Sequence, residues 1–425
     1  MTCAVDTIFL ALLTILNFIV GKRRILYPPL IYSLVWFAAT ALFWVAPIQL
    51  NEVHAITWWV IALGAFAFSV GGWITALLPQ SLFALRMRVL SHPTASSFGR
   101  VVLLAICILA VPIMLNDILS RGGGGGFGQV FMNARDASVS MAGAGQSHFY
   151  IIANLPVFSI LVAVICLIEQ RDRIFWIALL SSLACCVLST GRTYVLMLFA
   201  ALAATQMLKN RQDNVSGLLR IGLLPLLAFF VLFIGLVFVN KDVSNFEGTG
   251  AILTNFVLAY FVVPIPALDY VLTHSSEYTH AAHHTFALLL NIFSALGFSV
   301  NVPSAFDSYV FVPLPTNVYT VYKFYFTDFG LIGALGGIIA IAFLQTVVYR
   351  RATNNGNVSV FFCSILVFPA IMSIFDDAYS GYLLLMIKAG ILALVYWGAL
   401  NRMHIGMRIP HLQLRLWMTG KRNEA

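Results

Sequence analysis

Eleven apolar stretches, most of them long enough to cross a lipid bilayer, decide what this chain can fold into. They lie near 4–20, 30–49, 55–78, 101–118, 149–168, 174–190, 193–208, 217–239, 329–349, 358–375 and 382–400. A backbone in lipid must satisfy its own hydrogen bonds, so these stretches are expected to be helices. Charged residues make up only 9% of the chain, too few for an ordinary soluble enzyme. The sequence therefore predicts an all-α polytopic membrane protein with about eleven transmembrane helices, in which residues 1–425 form a single integral membrane domain.

Basic residues predict the orientation of these helices. Eighteen of the 24 lysines and arginines lie at alternate ends of the stretches and in the tail 401–425, where only four carboxylates accompany them. The opposite side holds five cations and eleven carboxylates. Because short basic loops remain in the cytoplasm, the tail is expected there and the N-terminus outside. This asymmetry accounts for the net charge of +8, so nucleic acid is not expected as a partner.

Two segments, 116–148 and 240–327, are then left on the outer side. The longer one contains two further apolar pieces, Ala251–Leu272 and Thr285–Ser299. No lysine or arginine lies between the pieces to hold an inner loop, and two prolines interrupt the first piece. We therefore expect this long external loop to contain short or re-entrant helices that line a cavity.

Neither a metal nor a cofactor is expected. The six cysteines lie in apolar runs without a CxxC pair, which argues against disulfides and zinc. His280, His283 and His284 are spaced as on a helix, but no neighbouring Glu or Cys completes a ligand set. A hydrated histidine face that offers a base explains this group better. The glycine run Gly122–Gly126 lacks the Gly-Lys-Ser/Thr of a nucleotide-binding loop.

Arg192 is the most informative cation, because a fixed charge at membrane depth is costly. It stands in the turn Ser189-Thr190-Gly191-Arg192-Thr193, between two short stretches and on the outer side. Gly191 is expected to let the chain reverse, while the neighbouring hydroxyls satisfy free backbone groups. Ligand binding is the favoured interpretation of Arg192, and the anchoring of a helix end is the alternative.

Three more charged positions are of interest. Arg135, in the first external segment, either contacts a ligand or is solvated and paired with Asp136 or Asp117. Lys388 lies within the last apolar stretch and is expected to face a polar cavity or a carboxylate. Asp377 and its neighbour Asp376 are candidate partners for Lys388 and candidate proton acceptors.

A second polar group runs from Pro315 to Asp328. Thr316 or Asn317 is expected to cap a helix that begins near Val318. The candidate ligand-contacting residues in this group are Asn317, Tyr319, Thr320, Lys323, Tyr325 and Asp328. In such a helix Tyr319, Lys323 and Thr327 would share one polar face. An aromatic belt at the membrane interface explains the tyrosines but leaves Lys323 and Asp328 unexplained. The glycines that follow, Gly330, Gly333, Gly336 and Gly337, are expected to let neighbouring helices approach closely.

Three local motifs resemble the Wzy-type O-antigen polymerases, which are oligosaccharide repeat-unit polymerases. One is Pro-Thr-Asn-Val-Tyr-Thr followed by Tyr-x-x-Asp-Phe-Gly-x-x-Gly, within Pro315–Gly333. The others are the Thr-Gly-Arg-Thr turn within Leu188–Leu196 and the Pro-x-Pro-x-x-x-Asp pattern within Tyr260–Asp269. The plan of spans with a late external loop is similar as well, so the resemblance extends over most of the chain.

The resemblance implies a metal-independent glycosyltransferase of the GT-C membrane type, in a bacterial inner membrane with its active site facing the periplasm. It implies transfer of a growing glycan from undecaprenyl diphosphate to a new lipid-linked repeat unit. A Wzz-type chain-length regulator is the implied protein partner, besides membrane lipids. The implied roles in binding or catalysis fall on Arg192 and, by extension, on Arg135 and the Asn317–Asp328 face.

The residue chemistry fits this expectation. A planar arginine fork suits the oxygens of a lipid diphosphate, which makes Arg192 the expected clamp. Lys323 or Arg135 could share the charge on the leaving diphosphate. The acceptor hydroxyl needs a base, for which Asp328, Asp377 and His283 are candidates. Tyr319 and Tyr325 could stack on sugars.

Two other functions compete with this one. An O-antigen ligase would share the membrane, the donor and the external loop, but would transfer the glycan to lipid A-core. A flippase or another transporter would show repeated halves and midplane charges in several spans. No such similarity between halves is evident in this sequence, and its charges collect at the outer edge.

Overall fold

A computed structural model describes residues 2–46, 50–79, 97–143, 152, 154–240, 259–274, 284–300, 302, 309–312, 314–354 and 356–399. The first eight helices are α1 (Cys3–Val20), α2 (Pro28–Val45), α3 (Ala55–Leu77), α4 (Ser97–Gly122), α5 (Phe127–Gly143), α6 (Leu155–Glu169), α7 (Arg173–Leu188) and α8 (Arg192–Lys209). The next, α9, is continuous through Val215–Gly217, a π-helical turn at Leu218–Gly222 and Leu223–Asn240.

The remaining helices begin with three short ones, α10 (Ala259–Val262), α11 (Pro264–Thr273) and α12 (Ala287–Ala295). Three longer ones follow: α13 (Val321–Ala352), α14 (Asn357–Met372) and α15 (Leu383–Ala393), which continues into a π-helical stretch at Leu394–Ala399. Two short strands, β1 (Val310–Phe311) and β2 (Pro315–Thr316), pair antiparallel.

Every one of the eleven apolar stretches coincides with a helix, which confirms their helical prediction. Six described helices are long and apolar enough to cross a membrane: α1, α2, α3, α4, the Val215–Leu232 part of α9, and α13. The apolar helices α6, α7, α14 and α15 are shorter. The protein is therefore helical and polytopic, while eleven crossings and the GT-C fold stay predictions.

Helix α14 joins two groups of helices. On one side it packs against α2 and α13, which in turn contact α1 and α3. On the other side it packs against α6 and α8, which contact α4, α7 and α9. Aromatic side chains fill the first group, where the Tyr32 ring stacks on Phe68 at 4.0 Å and the Tyr32 hydroxyl donates to the Tyr322 hydroxyl at 3.1 Å. These contacts fix α13 against α2 and α3.

Contacts between helix ends separate the bundle into two polar faces. The first, which we call the basic end, comprises the turns at 21–27, 170–172 and 210–214 and residues 353–354. Here Arg100 forms an ion pair with Asp172 at 2.8 Å, and Lys209 donates to the Ile168 carbonyl. The second, the distal end, comprises the described residues 50–54, 189–191, 259–274, 284–300, 314–320 and 373–382. Helices α1–α3 and α6–α8 thus alternate in direction, and the orientation of the chain across a membrane stays a prediction.

Glycine packing differs from the prediction. Among the described residues, a Cβ added at Gly330 or Gly336 would meet no atom within 4 Å, so those glycines do not bring the described helices together. Gly330 instead has φ 66° and marks a kink in α13. The close approach is made by α3, because a Cβ at Gly71 would lie 2.3 Å from the Ile339 carbonyl oxygen. A Cβ at Gly64 would similarly lie 2.2 Å from the Tyr322 ring.

The long external segment contains short helices where the structure describes it. Helix α10 ends at Val262, and α11 begins with Pro264 as its first residue, as expected from a residue that lacks a backbone donor. Helix α11 has ten residues and α12 has nine, each too few to cross a bilayer. The stretch 251–258 and the linker 275–283 lie outside the described residues, so the prediction of re-entry stays a prediction.

Candidate functional site

The turn before Arg192 reverses the chain in an unexpected way. Thr190, at φ 57°, adopts the left-handed conformation, whereas Gly191 is extended at φ −94° and precedes the first residue of α8. The assignment of the reversal to Gly191 was therefore wrong. The Ser189 hydroxyl accepts from the Gly191 N–H at 3.2 Å and donates to the Cys186 carbonyl at 2.6 Å. The Ser189 hydroxyl thus gives hydrogen-bond partners to backbone groups at the break between α7 and α8, as expected of a serine in a turn.

The guanidinium of Arg192 lies over an aromatic ring. Its central carbon is 4.9 Å from the ring centre of Tyr260, in α10. The Tyr260 ring also packs on Phe375, with centres 5.0 Å apart. Pro264 follows the end of α10 and lacks a backbone donor, so it limits the length of this helix and keeps Tyr260 at the distal end. The arrangement fixes the plane of the Arg192 fork, which is what recognition of a phosphate requires.

Arg135 comes close to Arg192 from a different helix. Helix α5 packs Phe131 and Ala134 against Ile118 of α4 and Leu188 of α7. This packing brings Arg135 near enough for its charge to act on that of Arg192. Of the two carboxylates considered for Arg135, Asp117 forms an ion pair with Arg121 instead.

The segment before α13 corrects the predicted helix start. The helix begins at Val321 after Thr320, and residues 317–320 are not helical. Thr316 does not cap it; its hydroxyl accepts from the Val318 N–H at 3.0 Å in a local turn. Tyr319 is therefore not on the helical face with Lys323, yet the Lys323 ammonium lies 3.7 Å from the Tyr319 ring centre. Asn317 is half-buried beside this pair.

Burial distinguishes this segment from a solvated polar face. Lys323 is 4% exposed and Thr320 is fully buried. The Thr320 hydroxyl has no hydrogen-bond partner within the described part of the chain. The Lys323 side chain is therefore shielded from bulk water. Its charge acts more strongly on nearby groups than it would in solvent.

Asp328 holds the external segment to α13. Its two carboxylate oxygens accept from the backbone N–H groups of His284, at 3.2 Å, and Thr285, at 2.6 Å. His283, the remaining candidate base, lies outside the described residues, as does His280. Asp328 thus positions the chain that follows the histidine group.

Asp377 is a buried carboxylate at the centre of a hydrogen-bond network. It accepts from the Tyr325 hydroxyl at 3.0 Å, from the N–H groups of Tyr379 and Ser380, and from the Ser380 hydroxyl. Burial, aided by the charge of Asp376, raises the pKa of Asp377 to about 7. A carboxyl with such a pKa can exchange a proton near neutral pH. Lys388 does not pair with it, because its ammonium donates to the Asn154 amide oxygen at 2.7 Å.

These contacts join the Arg192 turn to the Pro315–Asp328 group, which the sequence singled out separately. Arg192 touches Tyr260, Tyr260 touches Phe375, and Phe375 precedes the turn that carries Asp377. Asp377 in turn binds Tyr325 of α13, one helical turn from Asp328 and two residues from Lys323. The site is therefore continuous along the distal end.

Asp269 is a residue of this region that the residue-level reasoning missed. It is 6% exposed and accepts three hydrogen bonds, from the His54 N–H and ring Nδ1, each at 2.8 Å, and from the Thr57 hydroxyl at 2.5 Å. It thereby fixes α11 to the start of α3. The motif within Tyr260–Asp269 contained both Asp269 and Tyr260. The signal that could have identified Asp269 is a carboxylate beside the end of an apolar stretch, where a buried charge needs hydrogen-bond partners.

No family model matches the chain, and no curated protein or solved structure is significantly similar to it. The candidate site is therefore assigned from the geometry of the described residues. Within the described residues, no three His, Cys, Asp or Glu side chains are grouped so as to hold a metal ion. The two arginines and the buried lysine are the charges that this part of the chain offers to a ligand.

Proposed function

We propose that this protein polymerises undecaprenyl-diphosphate-linked oligosaccharide repeat units into an O-antigen-type polysaccharide. The reaction transfers the growing glycan from its lipid carrier to a new lipid-linked unit, at the periplasmic face of the bacterial inner membrane. The observation that carries the proposal is the position of the Arg192 guanidinium, 4.9 Å from the Tyr260 ring centre and connected through Phe375 to the turn that carries the buried Asp377.

Arg192 is the clamp for the donor diphosphate in this proposal. The Tyr260 ring packs against one face of the guanidinium, and in the proposal the N–H edge of the fork binds two phosphate oxygens at once. Arg135 adds the second positive charge that a diphosphate requires. In the topology that the basic loops predict, both positions lie on the outer side, where the diphosphate of a lipid-linked donor is expected.

Lys323 stabilises the leaving diphosphate in this proposal. Held over the Tyr319 ring and shielded from water, its ammonium can stabilise charge that develops as the bond to the diphosphate breaks. Tyr319 is 2% exposed and Tyr325 is 3% exposed, so they position Lys323 and Asp377 in place of stacking on sugars. The half-buried Asn317 and the fully buried Thr320 flank Tyr319 in the chain.

Asp377 is the base that fits the chemistry best among the described carboxylates. The acceptor hydroxyl attacks the anomeric carbon, its proton passes to the carboxylate, and the diphosphate leaves with the electron pair of the broken C–O bond. A pKa of about 7 suits this transfer at neutral pH. Asp328, whose two oxygens accept from the backbone N–H groups of His284 and Thr285, has the role of positioning the chain after His283 in this proposal.

The experiment that tests the proposal is the lipopolysaccharide pattern of a strain without this gene. Loss of a polymerase leaves core capped by one repeat unit. Loss of a ligase leaves bare core and lipid-linked polymer, which would replace the proposal by the ligase. Loss of a flippase leaves repeat units trapped inside the cell. Interaction with a Wzz-type regulator would appear as a change in chain length when the two proteins are co-expressed.

A further inference from the structure

We propose that the basic end of the bundle carries a binding site for the headgroup of an anionic phospholipid. The site is a cavity of about 340 Å³ between the turn after α1 and the C-terminal ends of α3 and α13. Lys22, Arg24 and Arg350 line it, together with Tyr27, Thr75 and Tyr349. None of the described residues that line it is acidic.

The backbone of the turn is built to present these cations. Lys22 and Arg23 both adopt the left-handed conformation, at φ 55° and 61°, which non-glycine residues rarely do. The Arg23 N–H donates to the Phe18 carbonyl at 2.8 Å, and the Lys22 N–H donates to Ile19 at 2.9 Å. The strained turn is thus held by the end of α1 and directs a basic loop over the cavity.

The remaining charges leave the cavity positive. Arg350 donates to the carbonyls of Thr75 and Leu78, which orient it without cancelling its charge. Asp213, a carboxylate within the field of Arg24, already accepts from the Leu26 N–H at 2.7 Å and from the Tyr349 hydroxyl. An anion would therefore meet three positive groups and no acidic side chain in the cavity wall.

A lipid fits this surface better than a free anion. Ile19 and Leu77, at the ends of α1 and α3, are 64% and 85% exposed and offer apolar surface beside the cations. A phosphate in the cavity can have its acyl chains along these side chains, whereas inorganic phosphate leaves them bare. Basic pockets between helices at the cytoplasmic side of membrane proteins bind anionic headgroups in this way.

The test measures phosphatidylglycerol retained by the purified full-length protein, by native mass spectrometry, against phosphatidylcholine. The variant Lys22→Gln/Arg24→Gln removes two charges from the cavity at exposed positions. Each basic residue near an anionic surface contributes an affinity factor of about five, so the double variant should bind phosphatidylglycerol about 25-fold more weakly. Arg24→Gln alone, whose backbone is outside the left-handed region, should show about a fivefold loss.

The matched control is Arg173→Gln/Arg220→Gln, which removes two exposed charges from the same end but outside the cavity. It should retain phosphatidylglycerol as the wild type does. An equal loss in both double variants would mean diffuse surface charge and would overturn the proposal. Stabilisation by inorganic phosphate as strong as that by phosphatidylglycerol would overturn it as well, because the occupant would then be a soluble anion.

Discussion

Arg192 holds its guanidinium carbon 4.9 Å from the ring centre of Tyr260, a residue that lies 68 positions later in the chain. The contact connects the turn between α7 and α8 to the long external segment. Through Phe375 it continues to the loop that carries Asp377. A simple helix-end anchor would need none of these neighbours, since it would reach water or lipid headgroups directly.

Arg192→Ala should abolish polymer formation while the protein level stays near normal. Loss of a buried charged contact costs about 2–5 kcal/mol, and each 1.4 kcal/mol or so is tenfold in rate. Arg192→Lys keeps the charge but loses the planar fork, so it should give short chains at low yield. Lipopolysaccharide banding from a deletion strain that carries each variant measures this.

Arg173→Ala is the control for that series. Arg173 is also the first residue of its helix, α7, but it lies at the basic end. It should support full-length ladders. Full-length lipopolysaccharide ladders from Arg192→Ala at equal expression would instead show that Arg192 only anchors the end of a helix.

Asp377→Asn should remove activity, and wild-type activity should fall as the pH drops below about 7. The sign follows from the role, because only the ionised carboxylate accepts a proton and its pKa is raised to about 7. Asp376→Asn should retain activity and move the acidic limb of the profile to lower pH, because the exposed Asp376 charge helps to raise that pKa. The measurement is the rate of chain extension against pH. A profile flat from pH 5 to about 8 would exclude Asp377 as the base.

Asp269→Ala should lower the stability of the folded protein by about 1–3 kcal/mol, because it leaves the His54 N–H and the buried Thr57 hydroxyl without their acceptor. The hydrogen bond to Asp269 also raises the pKa of His54 above 6.5. The stabilisation from protonated His54 is thus fully present below pH 6.5 and is lost as the pH rises through the raised pKa.

Thermal unfolding of the detergent-purified protein tests both statements. The difference in melting temperature between the wild type and His54→Gln should shrink as the pH rises above 6.5. A difference that grows with pH would contradict the ion pair between His54 and Asp269.

Gly71→Leu should prevent correct packing, whereas Gly336→Leu should be tolerated. At Gly71 any side chain meets the backbone of α13, and overpacking of this kind costs about 1–3 kcal/mol or more. At Gly336 no atom of the part of the chain that the structure describes lies within 4 Å of an added Cβ. The yield of monodisperse protein in gel filtration gives the comparison. Equal yields would show that α3 and α13 do not pack as closely as described.

Most of the fold was accessible from the sequence, because lipid imposes both the helix and its length on an apolar stretch. All eleven stretches became helices for this reason. The basic loops also identified which helix ends lie together, since Arg100 with Asp172 and Lys209 with the Ile168 carbonyl meet at one end. Periodicity could not show which glycines pack, since that depends on the partner helix.

The site was accessible only in part. Arg192 stood out because a fixed charge at membrane depth is costly. Lys323 stood out because an aromatic belt leaves it unexplained, and Asp377 as a candidate partner for Lys388 and a candidate proton acceptor. Their neighbours were not accessible, because Tyr260 reaches Arg192 through tertiary packing that no local pattern encodes. The start of α13 was misplaced for a similar reason: Thr316 is engaged in a local turn after strand β2, and that turn competes with helix capping.

The central claim is tested most directly by supplying the purified protein with its own substrate. A deletion strain should accumulate undecaprenyl-diphosphate-linked single repeat units, which can be extracted and incubated with the protein in phospholipid nanodiscs. The proposal predicts glycans of several repeat units on the lipid carrier, together with released undecaprenyl diphosphate, and neither product with Arg192→Ala. Repeat units that stay single with the wild-type protein, or extension that continues with Arg192→Ala, would contradict it.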